Sequence, residues 1–249
     1  MATFDHPFAV FVAALLVQWG AAYAGDQFRR RVRPFRQGER ADFDVLRTGG
    51  LSLLGLLIGF SFAMAVSRYD QRNTAEQSEA NAISTAYLRA GLLPADDGSQ
   101  LRELLRRHIE NRIAFYEAWG RPGPDAAASQ ARLKTEIWNI VTKAANAERT
   151  PIIALVVASA NDVFASQGQA QAAWLNRIPA PAWALMGLIA ICCNLLLGYG
   201  EHRTSALLLI LPVLVSIPLF LIADIDNPHG GIIDIAPRNL MLQKAAMRP

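Results

Sequence analysis

The sequence is poor in cysteine and in charged residues. Only 2 of its 249 residues are cysteine and 18% are charged, whereas soluble domains contain about 25% charged residues. The two cysteines, Cys192 and Cys193, are adjacent, which excludes a disulfide-stapled scaffold. The apolar fraction of 52% excludes a disordered chain, and 17 Gly with 13 Pro exclude a collagen-like one.

Signatures of catalysis and of nucleic-acid binding are also missing. The sequence has no glycine-rich phosphate loop, nucleophile elbow or metal-ligand pair at a useful spacing. We therefore expect no enzyme activity, no cofactor and no metal centre. The net charge of +3 does not indicate nucleic-acid binding, because residues 68–179 hold 13 basic and 12 acidic residues and are nearly neutral.

Four uncharged or nearly uncharged runs are long enough to cross a bilayer, which takes about 20 apolar residues. The runs are residues 8–24, 49–67, 180–200 and 204–223. They predict an all-α integral membrane protein with four transmembrane helices and a helical-bundle insert between the second and the third. The predicted divisions are 1–67 (spans 1 and 2 with an arginine-rich loop, 25–48), 68–179 (the bundle), 180–223 (spans 3 and 4) and 224–249 (a short tail).

The insert is typical of a bundle of helices joined directly to the spans. Residues 67–92 contain no Gly or Pro before Gly91. The second span is therefore expected to continue out of the membrane as one long helix, which we call the rod. Ser99 and Asp125 are expected to cap helices over 100–119 and 125–147. Thr150 and Pro151 predict the start of a fourth helix that reaches residue 176.

Basic residues flank the membrane on both sides, so they leave the orientation open. The loop 25–48 holds seven arginines, and the positive-inside rule then places it in the cytoplasm and the insert outside. Arg68, Arg72 and Arg177 lie on the opposite side and argue for the reverse.

Two stripes with a four-residue repeat run along the second span. Gly55, Gly59 and Ala63 form a small-residue stripe, which favours close packing either within the chain or around an oligomer axis. Ser52, Leu56 and Phe60 form the neighbouring stripe. It either faces lipid or lines a pore, where an apolar ring gates ions by dewetting and phenyl edges suit anions.

The polar residues near the spans can each be explained by a structural role instead of a functional one. Arg68 either holds an anion at a pore mouth or extends along the membrane surface. Arg72 and Glu76 are interpreted as a surface pair, and Glu79 as part of a structural hydrogen-bond network. Asp224 and Asp226 have the spacing of a cation site, and the favoured alternative is that they solvate the end of a span. Pro228 stands where a calcium-binding EF-hand loop would supply its third ligand.

Several short stretches resemble a known family. They are residues 57–69 (LIGFSFAMAVSRY), 79–83 (EANAI), 85–89 (TAYLR), 197–200 (LGYG), 224–226 (DID) and 227–230 (NPHG). The stretches 57–69 and 227–230 resemble motifs of the bestrophin anion channels. A closer resemblance is to the bacterial bestrophin-like family, long catalogued as a domain of unknown function, and it is carried by the Arg-Tyr pair that ends 57–69, by 79–83, 85–89, 197–200 and 224–226, and by Pro228 and Gly230.

The resemblance implies a homo-oligomeric channel in the bacterial inner membrane, in contact with lipid. It implies a five-fold ring that passes small anions such as chloride, with the neck at Ser52, Leu56 and Phe60 and Arg68 at the mouth. In calcium-gated bestrophins, an acidic run follows the motif that residues 227–230 resemble. Residues 231–233 (GII) stand at that place in this sequence, which argues against calcium gating. The alternative is a membrane-anchored sensor or assembly factor without transport activity.

Overall fold

The chain is an assembly of helices in the computed structural model, which describes residues 7–31, 37–118, 123–200, 207–227 and 231–247. The helices are α1 (Pro7–Arg31), α2 (Gln37–Arg89), a 3-10 turn (Ala90–Leu92), α3 (Ala95–Glu117), α4 (Pro124–Ala147), α5 (Pro151–Leu175), α6 (Ala180–Gly200), α7 (Leu207–Asp226) and α8 (Arg238–Ala246). These ranges contain no strand, and the all-α prediction is confirmed.

Four helical segments of the described residues are long and apolar enough to cross a membrane, and each corresponds to one of the four predicted spans. The span predicted over 180–200 coincides with α6. The span predicted over 204–223 corresponds to α7, although its residues 204–206 lie outside the described residues. α7 continues to Asp226, so Asp224 and Asp226 belong to the last turn of this helix and not to a tail.

Most of the predicted loop 25–48 is helical, which corrects the expectation. α1 continues through Arg31 and α2 begins at Gln37. The Asp26 carboxylate pairs with Arg29 and Arg30 at three- and four-residue spacing. Such pairs support a helix, and basic residues in its last turn interact favourably with the helix dipole.

The predicted rod is confirmed, because α2 runs unbroken for 53 residues. At a rise of 1.5 Å per residue this helix is about 80 Å long. It therefore contributes both a membrane-crossing length and a length outside the membrane.

The starts of the insert helices differ from the predicted caps in two of three cases. α3 begins at Ala95 after Pro94, and the Ser99 hydroxyl donates to the Asp96 carbonyl from inside the helix. α4 begins at Pro124, which fixes the backbone angle of a first helical residue, so Asp125 is not the cap. The prediction for α5 is confirmed, since the Thr150 hydroxyl accepts a hydrogen bond from the backbone N–H of Ile153 at 3.3 Å.

The chain divides into two compact units. The first unit comprises residues 1–67 and 177–233, and the second comprises 68–176 and 234–249. In the first, α1 packs against α6 and α7. The approach of α1 to α6 is so close that a Cβ at Gly198 of α6 would collide with the Ala22 carbonyl of α1. Its core holds Leu54, Met186 and Ala190.

Three neutral polar side chains are buried among the helices of the first unit. The Gln18 amide donates to the Ser216 hydroxyl at 3.2 Å, and the Asn194 amide donates to the Gln18 carbonyl oxygen at 3.1 Å. These bonds join α1, α6 and α7. Interhelical hydrogen bonds of this kind stabilise packing where lipid provides no hydrophobic driving force.

The second unit has a continuous apolar core from α2, α3, α4 and α5, with Ile83, Ile109 and Ile137 fully buried. The part of the predicted tail that follows residue 233 also belongs to this unit. It forms α8, whose Leu240 is fully buried in the same core. The expectation of a simple tail was wrong, because this segment is a packed part of the bundle.

Candidate pore-lining helix

The stripe formed by Ser52, Leu56 and Phe60 lies on an exposed side of α2. Leu56 is 53% exposed and Phe60 is 63% exposed. The opposite side of the same helix is packed, with Leu54 and Ala65 buried. α2 therefore attaches to the first unit by one side and leaves the other open.

The small-residue stripe is also open. A Cβ added at Gly55 or Gly59 would meet nothing within 4 Å, and Ala63 is exposed. Gly198, in contrast, is required by the close approach of α1. Gly55 and Gly59 therefore serve no close packing inside the described parts of one chain, and a role between copies stays a prediction.

Charged side chains anchor the part of α2 that lies in the second unit. Arg72, Glu76 and Glu79 are at most 1% exposed. The interpretation of Arg72 and Glu76 as a surface pair was therefore wrong. Their spacing of four and three residues continues into Ile83 and Ala86, which places all of them on the core side of the helix.

Glu79 is held by α3. Its carboxylate accepts hydrogen bonds from Nε and Nη2 of Arg112 and from the Tyr116 hydroxyl, the last at 3.2 Å. Burial raises the pKa of Glu79, and the Arg112 guanidinium opposes that rise. Burial and the Glu79 charge raise the pKa of Tyr116, so its hydroxyl stays protonated and donates. The structural network expected at Glu79 is present.

Glu76 and Arg72 join α2 to two further segments. The Glu76 carboxylate accepts from the Asn239 amide at 2.6 Å and from the Leu240 backbone N–H at 2.9 Å. The Arg72 guanidinium donates to the carbonyls of Ala173 and Asn176 at 3.2 and 3.0 Å. The side chains of α2 thus fix α8 and the end of α5, and these contacts set the position of the helix in the bundle.

His108 is a fully buried histidine of α3 that sequence reasoning left without a role. Neither ring nitrogen has a hydrogen-bond partner in the described part of the chain. Burial lowers its pKa to about 4, with further lowering by the charges of Arg112 and Lys134. The imidazole is therefore neutral at physiological pH.

Asp224 and Asp226 direct their carboxylates at backbone N–H groups. Asp224 accepts from Ile232 and Ile233 at 2.9 and 3.0 Å, and Asp226 accepts from Ile178 at 3.0 and 3.1 Å. These bonds hold the segments that follow α7 and precede α6. Across the described ranges, no three His, Cys, Asp or Glu residues are grouped to hold a metal ion.

Arg68 is partly buried at the start of the second unit. Of the motif 227–230, only Asn227 is described, and its amide oxygen accepts from Arg177 at 3.4 Å. The residues 228–230 lie outside the described residues.

Comparison with known proteins relates the chain to one family. A model of the bestrophin-like domain matches residues 45–240. The fold is similar to a crystal structure of a bacterial bestrophin homologue from Klebsiella pneumoniae that carries a point mutation. The TM-score is 0.64 at 13% identity, and the match covers 94% of this chain and 99% of that chain. No curated protein matches the sequence.

Proposed function

Because the chain belongs to the bestrophin-like family, we propose that copies of it assemble around an axis lined by the membrane-crossing part of α2 and conduct small anions such as chloride. One helix of this kind cannot enclose a conduit, so the function requires oligomerisation. A ring of five copies in the bacterial inner membrane, surrounded by lipid, is the arrangement that the resemblance implies.

The observation that carries the proposal is the open side of α2. Leu56 and Phe60 of the stripe are exposed, and a Cβ added at the neighbouring Gly55 or Gly59 would meet nothing within 4 Å in the described part of the chain. Small residues let helices of different copies approach closely. Packing through Gly55, Gly59 and Ala63 would then turn the neighbouring stripe towards the axis.

The mechanism follows from the side chains of the stripe. A ring of Leu56 and Phe60 forms an apolar neck that admits an ion only when water fills it. The positive edge of each Phe60 ring favours an anion over a cation. Ser52 offers a hydroxyl that donates to the partly dehydrated anion, and Arg68 raises the local anion concentration near the mouth.

The test is current through purified protein in planar bilayers. We expect Phe60→Ala to change conductance and anion selectivity severalfold, because it removes the aromatic edge from the neck. Phe62→Ala is the matched control, since Phe62 is 39% exposed on the same helix but lies off the stripe. Its currents should match those of the wild type.

Two outcomes contradict the proposal. A wild-type protein that gives no current in chloride or potassium salts, across voltages and pH, is not this channel. A protein that stays monomeric in detergent would favour the alternative of a membrane-anchored sensor or assembly factor.

A further inference from the structure

Two neighbouring side chains on the core side of α3 keep polar atoms without a hydrogen-bond partner. His108 and Arg112 are both 0% exposed. Within the described ranges, neither ring nitrogen of His108 and not Nη1 of Arg112 forms a hydrogen bond. The four-residue spacing places the two side chains next to each other on one side of the helix. Since buried polar atoms are nearly always hydrogen-bonded, the pair is suited to hold a further group.

The guanidinium of Arg112 divides its donors between two directions. Nε and Nη2 donate to the Glu79 carboxylate, and the guanidinium carbon lies 4.2 Å from the centre of the Phe115 ring. Nη1 is therefore the part of the group whose N–H bonds remain for another acceptor. A guanidinium has donors only, so the group that meets Nη1 must accept hydrogen bonds.

The charges that act on His108 are positive. Arg112 on α3 and Lys134 on α4 both lower the pKa of His108, in the same direction as burial. The potential at the imidazole is therefore positive. A positive potential favours an anion as the missing acceptor over an uncharged water molecule.

The other elements around α3 do not reverse this sign. Glu79 on α2 is bound to Nε and Nη2 of Arg112 and to the Tyr116 hydroxyl. The buried residues of α5 include no charged side chain. On α8, Lys244 pairs with Glu110, and both of these side chains are about half exposed.

We propose that His108 and Arg112 form a binding site for one halide ion, such as chloride, inside the second unit, and that the imidazole takes up a proton as the ion binds. The ion accepts hydrogen bonds from Nη1 of Arg112 and from the imidazolium, which has two donors and no acceptor. Proton and anion enter together, so the net charge of the core does not change. The site belongs to the bundle and does not depend on the proposed channel function.

The halide should bind more tightly in acid. Without the anion the pKa of His108 is about 4, so the protonated fraction falls about tenfold for each pH unit above that value. If the anion binds only the protonated form, its apparent affinity should fall by about 100-fold between pH 5 and pH 7.

The first test is crystallographic and uses the wild-type chain. Crystals soaked in sodium bromide at about pH 5 should show an anomalous peak in contact with His108 and Arg112. Crystals soaked in the same way at about pH 7 should show a much weaker peak, because few imidazoles are protonated there. Density for water without an anomalous signal at either pH would contradict the site.

The second test measures thermal unfolding in detergent, in sodium chloride and in sodium gluconate at equal ionic strength. Because a ligand that binds the native state stabilises it, chloride should raise the Tm of the wild type more at about pH 5 than at about pH 7. His108→Gln keeps a donor and an acceptor but cannot take up a proton, so this pH dependence of the chloride effect should disappear. Arg107→Met removes a cation from the exposed side of the same helix and should keep it.

The outcomes separate this site from the conduit. A chloride effect that is equal at both pH values, or that is unchanged in His108→Gln, contradicts the site. A bromide peak without any chloride effect in solution shows an adventitious ion only and also contradicts it. A specific halide site in a protein that conducts no current contradicts the proposed function alone. If His108→Gln does not fold, the bromide maps and the Tm values of the wild type decide.

Discussion

The two lengths of α2 are held in place by opposite means. In the first unit the helix contains glycines with open space around them, as at Gly55 and Gly59, and no buried charged side chain is described there; Leu54 packs in an apolar core. In the second unit its inward side chains include Arg72, Glu76 and Glu79, which form hydrogen bonds with other segments.

The difference shows how one helix serves two environments. In lipid, association depends on close packing, so small residues on an open side are available for contact between copies. Outside the membrane, a buried charge is tolerated only when it is paired and hydrogen-bonded, so Arg72, Glu76 and Glu79 each fix a particular neighbour. The anchored length therefore positions the helix, and the open length is free to line a conduit.

The largest effect is expected from breaking the anchor. Arg112→Met leaves the buried Glu79 carboxylate without its guanidinium and should lower the free energy of unfolding by about 3–5 kcal/mol. Arg107→Met is the matched control, because Arg107 pairs with Glu103 on the exposed side of α3 and should cost less than about 1 kcal/mol. Denaturant unfolding of the second unit in detergent gives both values. Equal losses would contradict a special role for the buried pair.

Acid should weaken the second unit through His108. Its pKa is lowered from 6.5 to about 4 in the folded protein, so the unfolded chain binds the extra proton more tightly. Stability should therefore fall as the pH drops from 6.5 to 4, by about 3 kcal/mol in total. The facing cations Arg112 and Lys134 act in the same direction.

His108→Leu provides the control for this acid effect. Melting curves at several pH values should show a smaller loss between pH 6.5 and 4 in the variant than in the wild type. The same loss in both proteins would assign the effect to other groups.

A glycine packed against another helix and a glycine surrounded by open space should respond differently to an added methyl group. Gly198→Ala places a Cβ against the Ala22 backbone and should destabilise the first unit by about 1–3 kcal/mol. Gly59→Ala meets open space in one chain, so it should leave the protomer stable and loosen the oligomer. Thermal unfolding and size-exclusion chromatography separate the two effects. A protomer damaged equally by both substitutions would refute the contrast.

Hydropathy and local capping predicted the spans and the start of α5, because both depend on neighbours close in sequence. The anchor was missed in part because Arg72 and Glu76 at four-residue spacing look like a surface pair. Their true partners lie far along the chain, at Ala173 and Asn239. The continuation of their spacing into Ile83 was the signal that placed them inside.

α8 was missed for a related reason. It has only nine residues, and an isolated helix of that length is marginal in water. Its position depends on the bond from the Leu240 backbone to Glu76 and on burial of the Leu240 side chain. The neck residues Ser52, Leu56 and Phe60 remain a prediction, because their role depends on copies of the chain and not on one chain alone.

The most direct measurement is an image of the detergent-solubilised protein that resolves individual subunits. We predict a closed ring of copies with α2 nearest the symmetry axis and Phe60 facing an open centre. Solitary subunits, or a ring whose centre is walled by another helix and filled with lipid, would contradict it.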